Sequence, residues 1–254
     1  MEGFVPGGLA YGGIMYLKHL WDSWKVHRFG IYGFWGVGKT TLQRQLSTTG
    51  ELEVDPEEAH TATFHAYDQK SESFVLPKPN IKKVSFRAES RPTVVRRTIS
   101  STDLGGHPEY FDLWLEDMIS RNVQIIIFLI DGRDINNPRE GPTEQSELFS
   151  KLVDVLITKN YPKFKSRKLR KKAKTYKPEV VALVANKADV WLERKWKKKL
   201  HTPEISEHPV FDPYRNDLIK LQRHLMVPTI KRCMSALHNW NTERVIYEIL
   251  QTKP

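Results

Sequence analysis

The sequence predicts an α/β domain built on a mostly parallel sheet. Apolar tracts of strand length alternate with segments of helical periodicity. The run Val123–Ile130 is apolar almost throughout, the pattern of a strand covered on both faces. A glycine-rich string, Gly33–Thr40, sits between a strand-like tract and a helix-like one.

The elements follow in order. Apolar residues at Ile14, Leu17, Leu20, Trp21 and Trp24 predict an amphipathic N-terminal helix, with Lys18, Asp22 and Lys25 off that face. Arg28–Tyr32 reads as a short buried strand. Residues 39–49 predict a helix ending at Gly50, with Leu42 and Leu46 inward, and an acidic loop, Glu51–Glu58, comes next. Tracts near Lys82–Arg87 and Thr93–Ser100 read as an antiparallel pair of strands. Phe111, Leu115, Met118 and Ile119 mark a helix, and Thr143–Ile157 predicts another, with Leu148, Leu152, Val155 and Leu156 inward. Val180–Val184 and Val227–Met234 read as further strands, and Thr242–Gln251 as a closing helix.

The chain has 254 residues, 39% hydrophobic and 28% charged, enough for one core without staples. The single cysteine, Cys233, rules out a disulfide within the chain, argues against a Cys/His zinc site and points to a reducing, cytoplasmic setting. Cys233 reads as a small core residue. The net charge of +10 is local: ten Lys and Arg lie between Lys159 and Lys177 with no acid among them, and five more between Arg194 and Lys199. Without those fifteen, 25 basic residues face 30 acidic ones.

Gly33-Phe34-Trp35-Gly36-Val37-Gly38-Lys39-Thr40 fits G-x-x-x-x-G-K-[ST]. Glycines let the backbone curl so that several N–H groups, from Gly33 and Trp35 through Thr41, converge on one anion. The helix N-terminus adds positive potential. Lys39 can reach β- and γ-phosphates, and the Thr40 hydroxyl can bind Mg²⁺. This loop alone leaves the base open, since Gly38–Leu42 is equally at home in a P-loop ATPase.

Three later strings choose the base. Asp103-Leu104-Gly105-Gly106-His107 places an acid for Mg²⁺, a flexible Gly106 N–H for the γ-phosphate and an imidazole beside it. Asn186-Lys187-Ala188-Asp189 follows a buried strand. The Asp189 carboxylate can accept from guanine N1 and N2, which adenine cannot match. Asn186 can bridge to nearby loops, and the Lys187 stem can cover the base. In Ser235-Ala236-Leu237 the Ala236 N–H can meet guanine O6. All four strings fall at the carboxyl ends of predicted strands, where open α/β sheets bind ligands.

In this order the motifs resemble the Ras-like small GTPase superfamily, and Gly105-Gly106-His107 resembles its Arf/Sar branch, the Sar type in particular. The resemblance covers residues 28–254. It implies a six-stranded, mostly parallel sheet with helices on both faces, a GTP/GDP switch dependent on Mg²⁺, His107 orienting the hydrolytic water, and an exchange factor, activating protein and effector as partners. It also implies a Mg²⁺-binding threonine in a first switch loop, for which Thr61 and Thr63, 21 and 23 residues after Thr40, are the candidates. The apolar run ends in Ile130-Asp131-Gly132 and not in two acids, which counts against the ATPase.

Trp35 departs from the family, which has a small or acidic residue there, and implies slow intrinsic hydrolysis. Residues 1–27 form an N-terminal extension suited to peripheral membrane attachment. Basic insertions near 159–177 and 191–213 suit an anionic membrane, with Trp191 and Trp196 as interfacial aromatics, or, as a weaker reading, nucleic acid. A non-hydrolysing GTP-binding scaffold and a nucleic-acid-associated GTPase stand as alternatives.

Overall fold

A computed structural model of the chain describes residues 26–46, 71–76, 95–100, 104–133, 144–200, 202–238 and 240–252. The expected N-terminal helix, the acidic loop, the strand near Lys82–Arg87, Thr61, Thr63 and Asp103 lie outside these residues.

The sheet has the strand order β2-β3-β1-β4-β5-β6, formed by β1 (Val26–Gly33), β2 (Ser71–Leu76), β3 (Val95–Ser100), β4 (Ile125–Asp131), β5 (Val180–Asn186) and β6 (Thr229–Cys233). β1 pairs parallel with β3 and β4, β4 with β5, and β5 with β6. β2 runs antiparallel to β3 along all six residues, from Ser71 opposite Ser100 to Leu76 opposite Val95. The antiparallel partner of β3 is therefore Ser71–Leu76. The polar start of that strand, Ser-Glu-Ser, carries no apolar alternation to reveal it.

Helices cover both faces. Ile126, Phe128 and Ile130 of β4 join one core with α2 (Phe111–Arg121) and α3 (Glu144–Thr158). Ile125, Ile127 and Leu129 join a second core with Leu42 of α1 (Lys39–Leu46) and Val245, Ile246 and Ile249 of α8 (Thr242–Gln251). Every β4 side chain is buried, which is why its sequence is a continuous apolar run. α2 buries Phe111, Trp114, Leu115, Met118 and Ile119 at the i, i+3, i+4 spacing of one helical face. It ends at Asn122, which takes the left-handed conformation (φ 54°) and lets the Val123 N–H return to the Met118 carbonyl.

The two insertions fold. Within 159–177, α4 (Arg167–Thr175) lies against α2. The segment after β5 forms two short helices, α5 (Ala188–Trp191) and α6 (Arg194–Lys197), then 3₁₀ turns and α7 (Arg215–Lys220). It buries Leu192, Leu200, Ile205, Val210, Phe211 and Tyr214 in the first core. Trp191 and Trp196 pack against that core too, edge-on to the His208 ring at 5.4 and 4.8 Å. They are thus not the interfacial aromatics that their lysine neighbours suggest. No helix among the described residues is long and apolar enough to cross a membrane.

One polar network ties β1 to α2. The Tyr32 hydroxyl donates to Asp117 Oδ2 (2.7 Å), Arg121 donates to both Asp117 oxygens, and Arg121 also donates to the Phe29 carbonyl (3.0 Å). Burial and the neighbouring Asp117 carboxylate push the Tyr32 hydroxyl well above its ordinary value, so it remains a donor. The Arg121 and Asp117 side chains are only 7% and 11% exposed. Asp117→Ala is expected to cost roughly 3 kcal/mol in urea unfolding because it strands a buried guanidinium, and Tyr32→Phe only about 1 kcal/mol. Equal costs for the two variants would show that the stranded charge of Arg121 does not set the size of the loss.

Candidate functional site

The glycine-rich loop leaves β1 at Gly33 and enters α1 at Lys39. Lys39 is buried at the mouth of the loop, and its ammonium donates to the carbonyls of Gly33 (3.0 Å) and Phe34 (2.8 Å). Gly38 has φ +93°, and a Cβ there would collide with the Asn186 amide, so only glycine serves at this point. Val37 is buried, whereas Thr40 and Thr41 are half-buried on the first turn of α1. Trp35 is 56% exposed, with its ring 5.7 Å from that of Phe34.

The Leu104–His107 segment comes up against this loop. A Cβ on Gly106 would strike Lys39 Nζ, the Phe34 carbonyl carbon and the Trp35 nitrogen. The neighbouring Gly105 carbonyl accepts from the indole N–H of Trp114, a fully buried residue of α2, at 2.8 Å. Trp114 therefore positions the double glycine, a role the sequence did not disclose: as one more apolar residue on a helical face it looks only like core. His107 is more than half exposed and caps the turn Pro108–Tyr110, its Nδ1 accepting from the Glu109 N–H at 3.5 Å. A neutral ring so bonded carries its proton on Nε2.

The third and fourth strings meet through one side chain. Asn186, 2% exposed, donates from Nδ2 to the Val37 carbonyl (2.8 Å) and accepts at Oδ1 from the Ala236 N–H (2.8 Å). Asn186 thus bridges loops as expected. The Ala236 N–H, expected to face a guanine carbonyl, is engaged by Asn186 instead, because a buried carboxamide needs an acceptor and a donor together. Ser235 is buried and exchanges backbone hydrogen bonds with Trp240 (2.9 and 3.0 Å). Its hydroxyl is a buried polar atom with no partner among the described residues. Leu237 is 53% exposed. Burial pushes the Cys233 thiol upward, in keeping with a core residue.

Asp189 opens the turn after β5, partly exposed, with Oδ2 3.5 Å from His238 Nε2. Lys187 takes a left-handed conformation (φ 58°) and donates to Asp131 Oδ2 at 2.7 Å. Its stem is therefore drawn toward the end of β4. Asp131 also accepts from Arg133, and its backbone N–H donates to Gln145 (2.8 Å). Burial alone would raise the Asp131 carboxyl, but hydrogen bonds from Arg133 and Lys187 outweigh it and hold the group below its ordinary value. Trp191 donates to the Asn186 carbonyl (2.7 Å), tying the insertion to the same strand end. Asp131 and Trp191 are supports that the sequence does not reveal as such. Among the described residues no cluster of three His, Cys, Asp or Glu side chains is placed to hold a metal ion.

In structure this chain is similar to P-loop GTPases, an Arf-like one among them. The small GTPase Arl6 (BBS3) of Trypanosoma brucei, with a bound nucleotide analogue, matches at 13% identity and TM-score 0.48, over 90% of this chain and 97% of the other. Era of Aquifex aeolicus, bound to GDP and aluminium fluoride, matches at 20% identity and TM-score 0.45, over 91% of this chain. A bacterial selenocysteine-specific elongation factor, EF-Sec, matches at 14% and TM-score 0.48, also over 91%. The chain spans 57% of the Era chain and 29% of the EF-Sec chain. No model of a known protein family matches the sequence, and no curated protein matches it.

A carboxylate whose folded value is depressed stabilises the fold fully above its unfolded value and loses that contribution as pH falls through the folded one. Asp131→Asn should therefore flatten the acid limb of a urea-unfolding series run from neutral to acidic pH. The variant should be less stable than the parent at neutral pH and approach it in acid. A constant gap between the two at all pH values would show that the Asp131 charge is not what holds Lys187.

Proposed function

We propose that this chain is a Ras-like GTPase of the Arf/Sar type, with a six-stranded, mostly parallel sheet, that binds GTP and GDP and acts as a slow-hydrolysing switch. The observation that carries this reading is Asn186, which joins the phosphate-loop candidate at Val37 to the Ser235–Leu237 loop at Ala236, with Asp189 three residues further on and 3.5 Å from His238, next to that same loop. A guanine base held at Asp189 would present its N1 and N2 hydrogens to the carboxylate, which favours guanine over adenine.

Lys39 would exchange the Gly33 and Phe34 carbonyls for β- and γ-phosphate oxygens. Backbone N–H groups from Gly36 to Thr41 would hold the remaining charge at the N-terminus of α1. The donor set suits Mg²⁺: the Thr40 hydroxyl with carboxylate Asp103, and Thr61 or Thr63, are hard oxygen ligands. Asp103 lies three residues before Gly106, which touches the loop, so about 10 Å of chain separates the two at most. Bound there, Mg²⁺ would neutralise charge on the phosphates.

Hydrolysis needs a water aligned on the γ-phosphorus. His107 would orient that water through a hydrogen bond from its ring. The ring must first leave the Glu109 cap, a movement of the kind that switch loops make when the γ-phosphate is present. The exposed Trp35 indole would shield the γ-phosphate from an arginine offered by a partner, which favours a low rate. Residues 1–27 would provide peripheral membrane attachment.

Fluorescent GTP and GDP analogues are expected to bind at micromolar or tighter affinity with Mg²⁺, without competition from ATP. Lys39→Ala and Asp189→Ala should each weaken binding by about 100-fold or more, the loss of two charge-assisted hydrogen bonds. Equal competition by ATP would overturn the guanine assignment, and binding without phosphate release would favour a non-hydrolysing scaffold. Trp35→Ala should raise the single-turnover rate, and no change would remove the shielding role. Liposome flotation that does not fall on deleting residues 1–25 would remove the membrane attachment.

A further inference from the structure

The two basic insertions differ in how their charge is used. In the second, Lys195 pairs with Glu193 and Lys199 with Glu204, each at 2.9 Å. Lys197 donates to the Asp189 carbonyl (3.3 Å), and Lys199 also lies over the Trp196 ring. Lys195 and Lys199 are thus each answered by an acid. In the first, Lys163, Lys165, Arg167, Lys168, Arg170, Lys171 and Lys174 are exposed, and no acid falls between Lys159 and Pro178. Lys172 donates to the Ser120 carbonyl and Lys159 to that of Tyr176, so these two serve the fold.

The geometry of α4 restricts what this charge can meet. Leu169 is half-buried and Ala173 buried, and they mark the side packed on the domain. At about 100° per residue the exposed cations of α4 other than Lys172 fan over roughly 160° of its circumference. A flat surface reaches only part of such an arc, whereas a grooved one can touch both flanks. The face also lacks an apolar anchor. The exposed large hydrophobic residues among the described ones are Trp35, Val190, Met226 and Leu237, none of them here. Phe164 and Tyr176 are buried and Tyr161 half-buried, so no ring is free to stack on an unpaired base.

We propose that α4 and the lysines flanking it form a docking surface for a double-stranded nucleic acid, bound through its phosphate backbone. Charge complementarity to a polyanion, a width suited to a groove, and the lack of both bilayer anchors and stacking rings converge on that partner. The surface lies at the end of the sheet where β4 and β5 begin. Lys172 holds Ser120 there, and the Tyr176 hydroxyl donates to the Val123 carbonyl (2.9 Å). The Gly33, Asn186 and Cys233 ends lie at the other pole, about 20 Å away along a seven-residue strand. A duplex bound at α4 leaves those loops uncovered, whichever nucleotide they bind.

The test is fluorescence anisotropy of the full chain with labelled blunt duplexes, RNA in one arm and DNA of the same sequence in the other, across a KCl series. The comparison is with the quadruple variant Lys168→Gln, Arg170→Gln, Lys171→Gln, Lys174→Gln, whose new residues keep helix propensity. The parent is expected to bind at least one duplex, with log affinity falling linearly in log salt. The variant should show a slope shallower by roughly 3 to 4 and a loss of more than ten-fold near 100 mM salt. Lys195→Gln with Lys199→Gln, the two lysines that are paired with acids, should change the slope little. Circular dichroism and analogue binding should be the same in all three proteins. No binding by the parent, an equal slope in the quadruple variant, or phosphatidylserine-vesicle binding that the quadruple variant loses and that neither duplex displaces from the parent would each overturn the proposal, the last in favour of a membrane.

Discussion

The candidate site hangs on a single carboxamide. Asn186 stands at the end of β5 and touches two loops that start on other strands, one through its nitrogen and one through its oxygen. No other side chain of this size offers a strong donor and a strong acceptor in one plane. Aspartate would set a carboxylate against the Val37 carbonyl, and leucine would leave a buried N–H and a buried carbonyl unpaired. The Gly38 backbone approaches so closely that a Cβ would displace the amide. The bridge therefore constrains residue choice at both of its ends, and Trp191 fixes the backbone from which it projects.

The double glycine is held by a different logic. Gly106 sits against Lys39 and the Phe34–Trp35 peptide, a contact that leaves no room for a side chain. Gly105 is pinned from behind by the Trp114 indole, which is rooted in the first core between Tyr32, Phe111 and Phe128. A movement of the Gly105–His107 loop must break or carry that hydrogen bond. The loop is thus coupled to the packing of α2 on the sheet, and through Tyr32 and Asp117 to β1, which feeds the glycine-rich loop itself. The two loops proposed to face the phosphates share one aromatic cluster as their support.

Much of this was legible in the sequence, and the reasons are specific. β4 and β5 are buried on both faces, so their apolar runs were unambiguous. Lys39, Asn186 and the glycines are bound to fixed spacings by backbone chemistry, and spacing is what a sequence displays. β2 was missed because half of Ser71–Leu76 is polar. Trp114, Asp131 and Trp191 were missed as supports because each acts through a contact between elements distant in the chain. Trp191 and Trp196 were misplaced for a related reason: tryptophan among lysines reads the same whether the lysines cover a packed ring or the ring meets a bilayer. Only the His208 contacts and their half-burial separate the two.

The net charge of +10 is best understood by where it is left unmatched. At the loop pole Lys187 and Arg133 share Asp131, and Lys39 is folded onto carbonyls. Around the second insertion the acids Glu193 and Glu204 answer Lys195 and Lys199. The largest remaining excess is on and beside α4, where cations project from a helix whose inner side is fixed to α2 and the start of β4. Like charges so crowded repel one another and lower the stability of the helix that bears them. Solubility alone would be served by scattering the same charges over the surface. Their retention on one folded, acid-free face is explained if a polyanion relieves that repulsion. The strength of the relief must then fall with salt, because it comes from the counterions released and not from apolar area.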